Sequence, residues 1–357
     1  MEEMLDDKLY DEIDELLKEL NLNEEDFKQL LLIEASRKGS FWSFCQTMIP
    51  TIYNDEHIFL KGICDTLEEF WFNDNKKILT LSMPPRHGKT LTLKLFCAFI
   101  FGIDETTKII TGSYNESFAS ETSKFVRNLI QEENVGDKIV FQNIFNIEIE
   151  KGSAQAKRFK LKSAPTLSML STSPGGSATG FGCNLILLDD VIKSADEVFN
   201  SKVKDNLYSW FSDTLFSRLE GSKQKIIIIG TRWCSDDVIG RVLEWDEDIT
   251  EIKLKAMNEN NEMLCDAFLD KKRYEDRKKR ISNEIFLANY QQEILDIKNR
   301  LYNKINTYKY EEVYEMDEEE LINGKIIYNY KKTKENKKIY KKKWDKIIAY
   351  VDTADTG

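Results

Sequence analysis

The residues best suited to chemistry lie in a short loop that ends in Gly-Lys-Thr. The loop reads Met83-Pro84-Pro85-Arg86-His87-Gly88-Lys89-Thr90. An apolar stretch typical of a buried strand precedes it, and an apolar run typical of a buried helix follows. This arrangement binds nucleoside triphosphates, because loop amides and a helix N-terminus attract phosphates. We predict that residues 85–90 bind nucleotide, with Lys89 on the β- and γ-phosphates and the Thr90 hydroxyl on Mg²⁺.

The loop departs from the usual phosphate-loop pattern at its start. That pattern opens with a glycine where Met83 stands here, and two prolines follow Met83. A surface turn without a ligand is therefore an alternative interpretation of this motif when it is taken alone.

A pair of acids about a hundred residues downstream supplies the carboxylates that a nucleotide-hydrolysing site needs. Four apolar residues end in Asp189 and Asp190. Such a segment is typical of a buried parallel strand, and ligand sites of open α/β sheets lie at the carboxyl ends of strands. We predict that Asp189 serves Mg²⁺ and that Asp190 orients and polarises the attacking water. Together with Gly-Lys-Thr, the pair predicts a P-loop NTPase.

The order of apolar segments predicts an α/β fold with a parallel central sheet flanked by helices. The expected strands are 78–82, 108–114, 159–161, 166–171, 184–190, 225–230 and 252–254. The expected helices are 57–72, the run from the phosphate loop to about 102, 116–130, 198–219 and 285–295. The strands around 159–171 alternate in polarity and are expected to pair at one side of the sheet.

Two further segments have both a functional and a plain interpretation. Thr231 and Arg232 follow the strand 225–230. Polar residues there can sense the γ-phosphate and couple its loss to movement, or Thr231 simply ends the strand. The loop 173–182 holds four glycines. Either this loop approaches a nucleotide or a DNA backbone closely, or it is a flexible connection.

Composition restricts the class of protein. The 357 residues carry a net charge of −11, which argues against a surface that is basic throughout, although a local basic groove is compatible with it. Six cysteines without a CxxC pair and only two histidines make a zinc site improbable and indicate free thiols. We expect neither a signal peptide nor a membrane span. The lysine-rich segment 325–346 is a candidate for phosphate contacts, but a solvated linker or edge hairpin is the simpler interpretation.

The chain is expected to have four parts. Residues 1–40 are interpreted as a helical lead-in and residues 41–300 as the ATPase domain. Residues 301–345 are interpreted as a linker. Residues 346–357 have the pattern of a first strand of another domain, with Asp352 at its end.

Several separated landmarks together resemble the large terminase subunit of tailed bacteriophages, an ATP-driven DNA-packaging motor. The phosphate loop resembles that family's own variant form, which lacks the first glycine. The likeness extends over about residues 41–301. The other similar segments are Ile110-Thr111-Gly112-Ser113-Tyr114-Asn115, Leu187-Leu188-Asp189-Asp190, Gly230-Thr231-Arg232-Trp233 and Asn289-Tyr290-Gln291-Gln292.

The resemblance implies an ATPase of the additional-strand type with a catalytic carboxylate, followed by an RNase H-like nuclease domain. Asp352 is similar to the first metal-binding acid of that nuclease, and the later acids would lie beyond Gly357. A two-metal nuclease needs several carboxylates. We therefore expect this chain not to cleave DNA.

Two departures from the family leave the arginine finger open. Many members carry Glu where Asp190 stands, and the family often has Arg where Phe181 stands. Arg86 is a candidate for stabilising the transition state in cis. Arg218 or Arg232 is a candidate for stabilising it from a neighbouring subunit. His87 is interpreted as packing the loop rather than as a base.

The resemblance further implies Mg²⁺ and ATP, and translocation of double-stranded DNA into a procapsid in the host cytoplasm. A portal protein, a small terminase subunit and a ring of subunits are the implied partners, and the isolated chain is compatible with a monomer. Two alternatives stay open: another nucleic-acid-dependent P-loop ATPase such as a helicase, or a nucleotide-gated scaffold. Most helicases need a second, tandem ATPase core, and the chain has room for one.

Overall fold

The computed structural model describes residues 23–134, 136, 138–192, 197, 200–245, 248–294, 314–322 and 325–332. The chain divides into two units, the first ending at Lys298 and the second beginning at Asn299. The helix predicted before residue 23 and the strand predicted at 346–357, with Asp352, lie outside the described residues.

An eight-stranded sheet forms the centre of the first unit. Its spatial order is β3-β4-β5-β2-β6-β7-β1-β8. Neighbouring strands from β5 to β8 along this order are parallel, and β4 is antiparallel to both of its neighbours. The strands are β1 Ile78–Ser82, β2 Ile109–Gly112, β3 Ile149–Ala154, β4 Arg158–Leu161, β5 Met169–Thr172, β6 Leu185–Asp189, β7 Lys225–Ile229 and β8 Ile249–Lys253.

The position of β7 confirms the predicted fold class. The strand inserts between β1, which precedes the phosphate loop, and β6, which ends in the acids. Ile227 is in register with Leu79 on one side and with Leu187 on the other. The sheet is therefore that of an α/β P-loop NTPase with the additional strand between the two motifs.

Ten described helices flank the sheet. None of them is long and apolar enough to cross a membrane. They are α1 Glu24–Arg37, α2 Phe41–Met48, α3 Ile58–Phe72, α4 Lys89–Ile103, α5 Glu116–Ile130, α6 Phe141–Ile144, α7 Ser201–Ser209, α8 Val238–Val242, α9 Lys271–Arg280 and α10 Asn283–Phe286. Short 3₁₀ turns span Asp55–His57 and Phe216–Arg218, and π-helical turns span Trp210–Leu215 and Leu287–Gln291.

Alternate residues of the central strands pack into two different cores. Leu79, Leu187 and Ile227 face the core formed with α1 to α6. Ile186 and Ile228 face the core formed with α7, the π-helical turn and α8. Because side chains alternate along a strand, a strand buried on both faces is apolar at every position. This explains the uninterrupted apolar runs in the sequence.

Several elements differ from their sequence-based predictions, among them one helix and one edge strand. The helix expected at 198–219 begins at Ser201 and continues from Trp210 as a π-helical turn, which buries Trp210, Phe211 and Leu215. Strand β3 was not predicted. Its sequence, Ile-Glu-Lys-Gly-Ser-Ala, lies at the sheet edge and is largely solvent-accessible, so it carries little apolar alternation.

The second unit contains an antiparallel hairpin. Strand β9, Tyr314–Ile322, pairs with β10, Lys325–Lys332, with an irregularity between Asn329 and Tyr330. The region 301–345, predicted as a linker, therefore contains regular β-structure.

Substitution of two helical glycines should test the packing of α4. A Cβ at Gly102 would lie 2.3 Å from the Phe145 ring, which is itself packed by Phe141 and Phe44. We expect Gly102→Ala to lower the free energy of unfolding by about 1 to 3 kcal/mol through overpacking. A Cβ at Gly62 in α3 would meet nothing within 4 Å. Gly62→Ala should therefore stabilise by up to about 1 kcal/mol, and urea unfolding of both variants measures the contrast. Equal effects would contradict this packing.

Candidate nucleotide-binding site

The phosphate loop connects the carboxyl end of β1 to the first residue of α4. Gly88 precedes α4 with φ of 92°, a left-handed conformation that favours glycine. Its carbonyl accepts a hydrogen bond from the Thr92 hydroxyl at 3.0 Å, and Thr92 in turn contacts the Tyr53 hydroxyl at 2.9 Å. These contacts fix the turn at which Lys89 and Thr90 begin the helix.

Lys89 contacts the second of the two predicted acids. Its Nζ donates a hydrogen bond to Asp190 Oδ1 at 2.9 Å, although the residues are 101 positions apart in sequence. Strand β7 separates β1 from β6, so the ends of β1 and β6 are about 10 Å apart. The buried lysine side chain spans this gap. The structure thus brings the Gly-Lys-Thr segment and the acidic strand end together.

Asp189 is held beside the start of α4. Burial, followed by the neighbouring charge of Asp190, raises the Asp189 pKa to about 6, and the nearby side chain of Thr90 opposes this rise. Asp189 Oδ1 is buried with no hydrogen-bond partner in the described part of the chain.

This arrangement fits Mg²⁺, which takes oxygen ligands and is usually bound through one or two protein groups plus phosphates and water. Thr90 and Asp189 would hold the ion. No group of three or more potential His, Cys, Asp or Glu ligands occurs among the described residues.

Asp190 has an unusual backbone conformation. Its φ is 44°, while its amide still donates to the Ile229 carbonyl at 3.0 Å. Left-handed backbone at a non-glycine residue is costly and often found at functional sites. The side chain is 42% exposed, so Asp190 combines a contact to Lys89 with access to solvent.

A cavity of about 420 Å³ opens at the carboxyl edge of the sheet. Thr90, Asp189, Asp190 and Thr231 line it together with residues that follow β2. Three of the predicted site residues and one predicted coupling residue therefore share one solvent-accessible space.

Arg232 does not face this cavity. Its side chain is buried and its Nε lies 3.4 Å from Asp237 Oδ2, while its guanidinium lies 3.8 Å from Glu251. Asp237 also accepts amide hydrogen bonds from Trp233 and Cys234, and burial raises its pKa. The pair fixes the loop that carries Thr231, so any coupling by Arg232 would act through that loop.

His87 packs the outer side of the phosphate loop. Its ring lies edge-on to Phe59 and Phe268 at 6.2 and 5.9 Å, and its Nδ1 contacts the Pro85 carbonyl at 3.0 Å. Burial, with a smaller contribution from the charge of Arg277, lowers the His87 pKa. A buried neutral ring is suited to packing, in line with the interpretation from sequence.

The candidate arginine fingers are scattered. Arg86 is exposed on the phosphate loop, with φ of 63°. Arg218 lies at the opposite, amino edge of the sheet, because its carbonyl accepts the amide hydrogen bond of Cys183 just before β6. Phe181 is buried in the second core and so fills space where the resembling family often has arginine. Of the three candidate arginines, Arg86, Arg218 and Arg232, only Arg86 lies in the phosphate loop.

Some contacts of the site were not predicted from sequence. Tyr53 supports Thr92, Phe268 packs edge-on against the loop residue His87, and the charge of Arg277 acts on His87. Two of these residues come after position 241, where the apolar pattern is weak. A short basic stretch at 271–280 was the available signal, but nothing in its sequence placed it near the phosphate loop.

Comparison with known proteins gives only distant structural likenesses. No model of a protein family and no curated protein matches the chain. The HK97 bacteriophage large terminase is 14% identical over 63% of this chain and 48% of that one, with a TM-score of 0.41. The large terminase of the thermophilic bacteriophage D6E with ADP is 9% identical over 63% and 51%, with a TM-score of 0.40. Saccharomyces cerevisiae Dbp5 bound to Gle1 and IP6 is 12% identical over 57% and 52%, with a TM-score of 0.33. The chain spans about half the length of each.

Neutralising Asp189 should make the nucleotide-free protein more stable at high pH. The folded pKa, about 6, lies above the ordinary aspartate value of 3.8, so the folded state binds this proton more tightly than the unfolded state. Wild-type stability from this group is therefore present below about pH 4 and is lost as pH rises through 6. We expect Asp189→Asn to exceed wild type by about 1 to 3 kcal/mol at pH 8 and to approach it at pH 4.

Thermal melting in a chelator at both pH values measures this difference. Asp213→Asn makes the same substitution at an exposed position and serves as control. A variant that is less stable than wild type at pH 8 would show that the Asp189 carboxylate is not under electrostatic strain.

Proposed function

We propose that this chain is the Mg-dependent ATPase motor domain of a viral large terminase subunit. The observation that carries the proposal is the Lys89–Asp190 contact at 2.9 Å beside the half-buried Asp189. Phosphoryl transfer to water requires a phosphate-binding lysine, a carboxylate that serves Mg²⁺ and a second carboxylate that the water can reach. Lys89, Asp189 and Asp190 would supply these three groups.

The chain's own groups divide the work of hydrolysis. Thr90 and Asp189 would hold Mg²⁺, which when bound neutralises charge on the phosphates. Lys89 binds the phosphates, which compete with Asp190 for its ammonium group. Asp190, released from the lysine, orients a water and accepts its proton. Without nucleotide, Asp190 is therefore paired with Lys89, and it becomes free to act as a base only when ATP binds.

Thr231 is the proposed link from hydrolysis to movement. It lines the same cavity as Asp190 and follows β7 directly. Loss of the γ-phosphate would change the contacts of Thr231. Because the Arg232–Asp237 ion pair holds the loop after β7 together, the loop would then move as one piece.

The terminase assignment rests on the sequence resemblance together with the additional-strand sheet. It supplies the remaining parts of the proposal: ATP rather than GTP, double-stranded DNA as the translocated substrate, a portal protein and a small terminase subunit as partners, and action in the host cytoplasm. Arg86 would act within its own site. Arg218, on the opposite edge of the sheet, would serve only the site of a neighbouring subunit in a ring.

Removal of either member of the ion pair should abolish turnover. We expect Lys89→Ala and Asp190→Ala each to lower Mg-dependent ATP hydrolysis about a hundredfold or more, because one loses phosphate binding and the other the base. Asp190→Ala should retain ATP binding and Lys89→Ala should lose it. Phosphate release with and without duplex DNA, together with binding of a fluorescent ATP analogue, measures both.

The matched controls are Lys151→Ala and Asp213→Ala, at exposed positions. The double variant Lys89→Ala/Asp190→Ala, in which neither charge is left without the other, checks folding by thermal melting. Wild-type protein that binds ATP tightly without turnover, with or without DNA, would favour the nucleotide-gated scaffold. ATP-dependent strand separation of a partial duplex would favour a helicase.

A further inference from the structure

Helix α9 is strongly basic within an acidic chain. Its ten residues, Lys271–Arg280, include seven cations and two acids. The whole chain carries a net charge of −11, so this concentration of positive charge runs against the average. Such a local cluster is the usual footprint of a polyanion contact, provided that the cations are accessible and not already neutralised.

Most of these cations are exposed and form no ion pair within the described part of the chain. Arg273 pairs with the helix-capping Asp270 at 2.7 Å. The other exposed cations of the helix form no ion pair with any residue that the structure describes; they are Lys271, Lys272, Lys278, Lys279 and Arg280. Many lysines elsewhere on the described surface do pair with acids, as Lys76, Lys108 and Lys157 do. The charge of α9 is therefore available to an external partner.

A small separate core holds the helix in place. Tyr274, the buried residue of α9, packs edge-on against Phe286 at 5.0 Å, and its hydroxyl accepts a hydrogen bond from Gln291 Nε2 at 2.5 Å. The half-buried Arg277 donates to the Tyr290 hydroxyl at 3.0 Å. Anchoring along one side fixes which residues of α9 face solvent. Lys272, Lys279 and Arg280, spaced by seven and eight residues, share the solvent side.

The exposed side of α9 is entirely charged. Every exposed residue of the helix is lysine, arginine or aspartate. A protein interface of ordinary affinity needs a buried aromatic or aliphatic anchor, and lysine is depleted in such interfaces. A phosphate backbone needs cations alone. Ten helical residues extend about 15 Å, a length along which duplex DNA presents about nine charges.

The helix also adjoins the nucleotide site. Phe268, two residues before the cap of α9, stacks on His57 at 4.3 Å and meets the phosphate-loop residue His87 at 5.9 Å. Arg277 is close enough for its charge to act on His87. A partner on α9 would therefore sit on a helix whose preceding segment, at Phe268, contacts the phosphate loop.

We infer that the exposed face of α9 is a contact surface for the phosphate backbone of duplex DNA. This inference rests on the proposed motor function, which supplies DNA as the partner, and it adds the place where the DNA is held. Binding there is independent of sequence, because the contacts are to phosphates and not to bases.

The test is the salt dependence of DNA binding by the full chain. The triple variant Lys272→Gln/Lys279→Gln/Arg280→Gln is compared with Lys28→Gln/Lys151→Gln/Lys202→Gln, which removes the same charge from exposed positions elsewhere. Fluorescence anisotropy of a labelled 40-base-pair duplex is measured over a range of salt concentrations without nucleotide. We expect the α9 variant to bind about tenfold or more weakly at 0.1 M salt. Its slope of log affinity against log salt should be shallower by about 2 to 3, and the control should match wild type.

The outcomes separate this inference from the proposed function. Wild-type ATP turnover with DNA binding that the α9 variant retains in full, slope included, would overturn the inference and leave the function intact. Absence of both turnover and DNA binding in the wild type would overturn both. An unchanged DNA slope with a selective loss of poly-glutamate binding would assign α9 to an acidic protein instead. Thermal melting of both triple variants verifies that each is folded.

Discussion

The interaction on which the rest of the site depends is the repulsion between two carboxylates, Asp189 and Asp190, at the end of one buried strand. Asp189 is half-buried beside Asp190, and desolvation together with the adjacent negative charge raises the Asp189 pKa to about 6. Lys89 relieves part of that repulsion through its contact to Asp190. Asp189 Oδ1 has no hydrogen-bond partner in the described part of the chain. The remaining repulsion between the two carboxylates would therefore favour a cation such as the proposed Mg²⁺.

The sheet makes this concentration of charge possible. With β7 between β1 and β6, the carboxyl ends of three parallel strands carry the phosphate loop, Thr231 and the two acids along one edge. Apolar residues on both faces of these strands bury them between two helical layers. Asp189 is consequently held in a poorly hydrated setting, where charges interact more strongly than in water, while Asp190 keeps access to solvent.

The third, smaller core extends this site outward. Tyr274, Phe286 and Tyr290 form a cluster with Leu269, and the neighbouring Phe268 contacts His57 and the phosphate-loop residue His87. The basic helix α9 is thus not a remote surface feature. Phe268 and Leu269, which precede its cap Asp270, lie between its core and the phosphate loop.

The linear sequence determined the motifs, the fold class and the order of elements, because buried parallel strands and a phosphate loop leave strong local patterns. Met83, a departure from the usual loop, did not obscure them. Tertiary structure alone decided which of these residues meet. The Lys89–Asp190 contact crosses 101 positions, the burial of Arg232 depends on Asp237 and Glu251, and the basic run at α9 acquired a place only through packing against Phe286 and Tyr290. Such long-range contacts depend on side-chain packing between distant segments, for which local periodicity carries no signal.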